Sequence, residues 1–314
     1  MIIVPRRVAL GIAVVSLSIG TSAARARAQS TAQPELVVTT DWLATHLADP
    51  SLVVVQVDMP SMPDMSGMGS PYADGHIPGA RELDYNQLAI NVDGIGLELP
   101  PVQTLKATFE QLGISSSSHV VLMGPPLMVT RAWYTMHYLG LPNVSALDGG
   151  ITKWKGEGRP ADKTRPTVTR GKIVPNAQPQ IVATSAYVLA HIGKPGISFL
   201  DTRTVGEYDG SGERHGMPST GHIAGARRLE WHDLFKNDSD FTLQDQATLA
   251  KLYKERVTPG DTVVTYCYIG YRASGSYFVA LLLGYPAKLY DGSYDEWAKK
   301  QLPTVTTATP LLTP

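Results

Sequence analysis

Cys267 is the only cysteine in the 314-residue chain, and Arg272 follows it after Tyr268, Ile269, Gly270 and Tyr271. A thiol with a guanidinium close behind it is a candidate nucleophile, because a nearby cation favours the reactive thiolate. The residues before it, Val263, Val264, Thr265 and Tyr266, are β-branched or aromatic and read as a buried strand. After Arg272, the run from Ala273 to Leu283 is apolar and reads as a helix. The cysteine therefore sits on a short loop between a strand end and a helix start. At such a place backbone N–H groups and the positive end of the helix dipole face a bound anion. An inert, buried thiol is the plain alternative for a lone cysteine; the strand-loop-helix setting argues against it.

The elements that position this loop occur twice, with a period of about 145 residues, which is too long for a solenoid and suits a duplicated domain. Leu52 to Asp58 and Ile197 to Asp201 read as matching strands, each ending in aspartate. Gly75-His76-Ile77-Pro78-Gly79-Ala80 matches Gly221-His222-Ile223-Ala224-Gly225-Ala226. Segments ending at Trp154 and Trp297 match as well. Features present in both halves point to the fold. By that test His76 and His222 hold a common turn, and Asp58 and Asp201 are strand-end hydrogen-bonding residues. Where the second half has the cysteine loop, the first has Gly124-Pro125-Pro126-Leu127-Met128-Val129, with no nucleophile and no arginine. Val120 to Met123 reads as the strand before that stretch and Ala132 to Leu139 as the helix behind it. Strands alternating with helices predict an α/β fold with parallel sheets covered on both faces, and ligands collect at the carboxyl ends of such strands.

Composition sets the outer limits. At 43% hydrophobic and 18% charged residues the chain can bury a sizeable core, and its length suggests two domains. Residues 1–28 follow a secretory pattern: Arg6 and Arg7, the apolar run Val8 to Ile19, and a cleavage site at Ala26-Arg27-Ala28. A periplasmic or secreted protein is expected. The rest of the chain is more acidic than the whole, whose net charge is −1, since Arg6, Arg7, Arg25 and Arg27 leave with the signal peptide. Neither nucleic-acid nor membrane partners are indicated.

With these motifs assembled, the chain resembles the tandem-domain rhodanese sulfurtransferases, the family of thiosulfate and 3-mercaptopyruvate sulfurtransferase, from Glu35 to Gln301. The resemblance rests on the paired Gly-His-Ile turns, on Leu200-Asp201-Thr202-Arg203 with Glu207-Tyr208, on Asp148-Gly149-Gly150 and Asp291-Gly292-Ser293 before the tryptophans, and on the six-residue cysteine loop. It implies two rhodanese-like domains, each a parallel sheet flanked by helices. Residues 35–157 form the domain without cysteine, 158–180 a linker, 181–301 the catalytic domain and 302–314 a flexible tail.

The activity so implied is a ping-pong transfer in which Cys267 takes sulfur from a small-molecule donor as a persulfide and passes it to a thiophilic acceptor such as cyanide or a thiol. No cofactor or metal is needed. Tyr268, Ile269, Gly270, Tyr271 and Arg272 line the substrate site in this reading. Amides of residues 268–272 converge on the persulfide, Gly270 allows a tight cradle, and Arg272 either supplies charge or pins the loop through carbonyls, the second being favoured. The loop matches neither family pattern: the thiosulfate type has basic residues after cysteine, and the mercaptopyruvate type has glycine or serine. An arginine that binds substrate anions in the animal enzymes falls where this chain has Glu207. Arg214 is the candidate replacement, against a plain solvated arginine. Thiosulfate is the first donor and mercaptopyruvate the second.

Loop length separates this activity from cysteine phosphatases of related fold, whose loops place five residues between cysteine and arginine to seat a phosphate. A persulfide carrier or binding protein, without turnover, is the non-enzymatic alternative. Met59, Met62, Met65 and Met68 offer soft thioethers suited to Cu(I); methionines packing against the domain cleft are the simpler reading.

Overall fold

The computed structural model describes Met1 and residues 35–59, 72–212 and 220–306. The expected signal peptide, Met62, Met65, Met68 and Arg214 lie outside the described residues. Among the described residues no helix is long and apolar enough to cross a membrane.

The first half runs β1 (Val37–Val38), α1 (Thr40–His46), β2 (Leu52–Asp58), β3 (Arg81–Asp84), β4 (Ile90–Val92), β5 (Ile95–Glu98), α2 (Val102–Gln111), β6 (His119–Met123), α3 (Pro126–Leu139), β7 (Val144–Leu147) and α4 (Gly150–Gly156). The second runs β8 (Val182–Ala183), α5 (Ser185–His191), β9 (Ile197–Asp201), α6 (Val205–Asp209), β10 (His222–Ile223), β11 (Arg227–Arg228), α7 (Gln246–Lys254), β12 (Thr262–Tyr266), α8 (Ala273–Leu282), β13 (Ala287–Tyr290), α9 (Ser293–Lys299) and β14 (Thr304–Val305). Strand order is β1-β7-β6-β2-β3 in the first sheet and β11-β9-β12-β13-β8 in the second. Each pairing in both is parallel. Matching β3 to β11 and β2 to β9 makes the two orders identical, so the duplication read in the sequence is a duplication of topology.

The repeated residues do the same work twice. His76 stacks on Tyr72 with ring centroids 3.8 Å apart, and His222 on Tyr208 at 3.7 Å. Each histidine donates Nδ1–H to the carbonyl of that tyrosine, and each tyrosine donates its hydroxyl across the turn, to Ala80 O and Ala226 O. Trp154 and Trp297 donate Nε1–H to Pro160 O and Pro303 O. Asp58 accepts the N–H groups of Met59 and Tyr72, as a strand-end aspartate should. Thr39 and Thr184 cap α1 and α5 through side-chain oxygens, which satisfies N–H groups a helix start leaves free.

The seam between the halves is apolar. Buried faces of α3 and α8 meet there: Trp133 stands edge-on to Phe278 at 5.1 Å, Tyr134 edge-on to Tyr277 at 5.1 Å, and Thr130 Oγ1 lies 2.9 Å from Ser274 Oγ. Burial of each such aromatic contributes about 1.5–3 kcal/mol. One continuous core cluster runs from Val53 and Phe109 through these helices to Cys267 and Leu289. Both helices are apolar nearly all round because each is covered by its own sheet and by the other helix.

Two local readings change. The helix expected from Ala132 begins at Pro126, because proline at the first helical position loses no bond and presets φ. At the start of the expected flexible tail, Thr304 and Val305 pair with Ile223 and His222 as an antiparallel strand. Residues 158–180 are tied to the first half: Asp162 N–H bonds His76 O, and Gly171 and Ile173 donate to the Glu110 backbone and side chain.

Candidate active site

Cys267 leaves the carboxyl end of β12, the strand between β9 and β13. Its loop is held from below by the start of α9. Tyr294 N–H donates to Cys267 O at 3.0 Å and Asp295 N–H to Tyr268 O at 2.9 Å. Ser293 Oγ accepts Cys267 N–H at 3.2 Å while donating to Tyr290 O at 2.8 Å. Ser293 does this at φ 52°, a left-handed conformation that costs a non-glycine residue energy.

The carbonyls of Cys267 and Tyr268 are thus engaged from α9. The N–H groups of Ile269, Gly270, Tyr271 and Arg272 have no protein acceptor among the described residues. Successive free amides ahead of a helix form a concave site for an anion. Gly270 makes the curve possible. Its φ is 79°, and an added Cβ would stand 2.6 Å from Asp291 O.

Arg272 takes neither of the roles expected from sequence in full. It pins the loop, but through a carboxylate rather than carbonyls: Nη1 and Nη2 each donate to Glu207 at 2.7 Å. Burial pushes the Glu207 carboxyl up, and the hydrogen bonds and charge of Arg272, with the Thr204 bonds, outweigh it and hold the group at about 2. Glu207 is itself fixed by a capping box with Thr204 at the start of α6. So Glu207 stands where the animal enzymes place an arginine, as the anchor of the loop's own arginine. Nearby, fully buried Arg203 bonds both oxygens of Asp201 and Gly221 O, with its guanidinium 3.9 Å from the Tyr294 ring centroid. Asp201 is thus the strand-end hydrogen-bonding residue the repeat implied.

The cysteine-free half reaches this loop, which the sequence reading passed over. From α3, Arg131 donates Nη1 to Asp291 Oδ1 at 2.6 Å and Nη2 to Leu97 O at 2.6 Å. Asp291 Oδ2 accepts Leu99 N–H at 2.7 Å. Asp291 also supplies the carbonyl against Gly270, so a buried ion pair between the two halves braces the loop. The β4–β5 hairpin is the arm that extends across, and Lys299 Nζ donates to Gly94 O at its tip. Tyr85, in a short 3-10 turn after β3, stands edge-on to Tyr271 with centroids 5.2 Å apart.

Of the residues expected to line the site, Tyr271 faces a cavity of about 520 Å³ whose walls include Pro125, Leu127, Trp231, His232 and Asp238. Tyr268 packs against the cluster that holds Tyr266 with Tyr294 and Trp297 of α9. Ile269 is half-buried and Gly270 buried against Asp291. Cys267 itself is 0% exposed, so a sulfur placed there is shielded from water. Among the described residues no cluster of His, Cys, Asp or Glu has the grouping of a metal site. Met59 packs against the main core cluster.

A buried thiol after a central parallel strand, in one of two topologically identical halves, marks an α/β protein built from a duplicated domain. Residues 39–157 and 184–300 each match the rhodanese-like domain family. The chain is 34% identical over 285 residues to sulfur carrier protein TtuD of Thermus thermophilus, covering 85% of this chain and 94% of that protein. It is 30% identical over 269 residues to a probable 3-mercaptopyruvate sulfurtransferase of Pseudomonas aeruginosa, covering 83% and 94%. It is 29% identical over 266 residues to a thiosulfate sulfurtransferase of Azotobacter vinelandii, covering 83% and 93%. The crystal structure of SseA from Escherichia coli has the same fold, with a TM-score of 0.72 at 24% identity over 82% of this chain and 98% of that one. The chain belongs to the rhodanese family and carries two rhodanese-like domains in tandem.

Proposed function

We propose that the protein is a sulfurtransferase that moves a sulfane sulfur from a small donor to a thiophilic acceptor through a persulfide on Cys267. The carrying observation is the loop itself: a shielded thiol followed by four amides with no protein acceptor among the described residues. A persulfide places its negative charge one sulfur beyond the thiol, and an amide cradle suits a small anion there. The curated relatives named as sulfurtransferases support the class.

Thiosulfate is the favoured donor. When thiolate attacks its outer sulfur, the S–S bond breaks and sulfite leaves with the electron pair, needing no proton. Mercaptopyruvate leaves an enolate that must be protonated. Within the loop no serine, histidine or acid follows Cys267, and Ser293 Oγ is already engaged on both sides. The reading includes export, supported by the pattern of residues 1–28; a mature chain that still begins at Met1 speaks against it.

A second reading, a sulfur carrier without turnover, is favoured by the complete burial of Cys267 and by the name of the Thermus relative. One experiment separates these. The protein is given thiosulfate or mercaptopyruvate, the mass of one sulfur on Cys267 is sought, and thiocyanate is followed with cyanide. Many thiocyanates per chain support the enzyme, a single one the carrier, and loss of all transfer in Cys267→Ser is expected. Transfer that survives that substitution refutes the proposal, since no second cysteine exists.

A further inference from the structure

Tyr85 carries a buried hydroxyl in the domain without cysteine. The ring is 4% exposed, packs against Tyr271 and belongs to the same core cluster as Cys267. Its Oη is buried and has no hydrogen-bond partner among the described residues. Such an orphaned group destabilises the fold relative to a phenylalanine of the same shape. Burial pushes its pKa well above the ordinary tyrosine value; Tyr271, Cys267 and Asp291 push the same way and Arg131 opposes. The hydroxyl is thus an unused donor on a ring that packs against Tyr271 of the cysteine loop.

We propose that Tyr85 Oη donates a hydrogen bond to the outer sulfur of the Cys267 persulfide, so that the domain without cysteine completes the site. This rests on the sulfur-transfer reading above. Thiolate attack forms the Cys267 S–S bond as the donor's S–S bond breaks and sulfite departs with its electrons. The outer sulfur now bears the negative charge, and the free O–H finds its acceptor. When cyanide attacks that sulfur, a C–S bond forms, the S–S electron pair returns to Cys267 as thiolate, and thiocyanate leaves. The tyrosine proton stays on oxygen throughout.

The test compares the full-length protein with Tyr85→Phe and with Tyr134→Phe. Tyr134 carries an equally orphaned buried hydroxyl at the domain seam. Loss of one hydrogen bond to a charged sulfur should lower kcat/KM for thiosulfate and cyanide about 10- to 100-fold in Tyr85→Phe. The persulfide, followed by intact mass without acceptor, should decay faster in that variant, while its thermal unfolding is unchanged or raised. Tyr134→Phe should match the wild type in transfer and persulfide lifetime. If Tyr85→Phe keeps both within about twofold, or if the two variants lose activity alike, the inference is overturned. A wild type that never acquires sulfur would instead refute the sulfur-transfer reading itself.

Discussion

Arg272 and Glu207 face each other fork to fork, each guanidinium nitrogen 2.7 Å from its own carboxylate oxygen. The pair ties the last residue of the cysteine loop to the first turn of α6, and the carboxylate offsets most of the charge that the guanidinium would otherwise present to an anion.

Arg272→Ala should therefore act through geometry. It leaves Glu207 buried without its partner, a loss of about 3–5 kcal/mol, and lets the amide cradle slacken. Sulfur transfer measured at pH 7 and at pH 9.5 should fall by the same factor. A markedly smaller loss at the higher pH would show that the arginine works by charge on the thiol.

Acid should expose the same pair. The Glu207 carboxyl sits at about 2 when folded and near 4.5 in the unfolded chain. A depressed pKa contributes stability above the unfolded value, and that stability is lost as pH falls through the folded one. Thermal unfolding followed from pH 5 to pH 2 should show a steeper decline in the wild type than in Glu207→Gln.

Gly270→Ala should be far more damaging than an ordinary glycine-to-alanine change. The backbone is left-handed there, and the new Cβ would stand 2.6 Å from Asp291 O. Only displacement of the loop relieves that contact, so kcat/KM should drop by about 100-fold or more, with stability lowered by about 1–3 kcal/mol. Activity within a few fold of wild type would mean the curve of the loop is not needed.

The opposite sign of pH dependence belongs to Glu98 on the hairpin. Burial, then the charges of Asp291 and Glu296, raise its carboxyl to about 8, with Arg131 and Lys300 opposing. The folded chain thus keeps a proton that the unfolded chain releases near 4.5, so stability should fall as pH rises from 4.5 to 8 and level off beyond. In Glu98→Gln that slope should be absent, and at pH 8.5 the variant should melt above the wild type. Equal slopes in the two proteins would count against this account.

Much of the working half was legible in the chain. The β-branched run to Tyr266, the lone cysteine and the apolar helix beyond are local patterns, and the paired Gly-His-Ile turns announced themselves by repetition. The cross-domain parts were not. Arg131 meets Asp291 across 160 positions, and no periodicity encodes a partner at that distance. Two local signals did exist. An arginine inside an apolar helix must find a partner, and Asp93-Gly94, with φ 52° and 81°, is a hairpin turn signature. The reading of Arg272 toward carbonyls failed for a related reason: its acceptor, Glu207, lies in α6, 65 positions away.

The shared core between α3 and α8 bears on how the gene can be divided. A chain cut within residues 158–180 would yield two fragments, each with a long greasy helix face bare to water, and neither should stay dispersed alone. Expressed together they should re-form a nicked but active protein. On that expectation the half without cysteine would behave as a covalently attached subunit, the equivalent of a heterodimer in one reading frame.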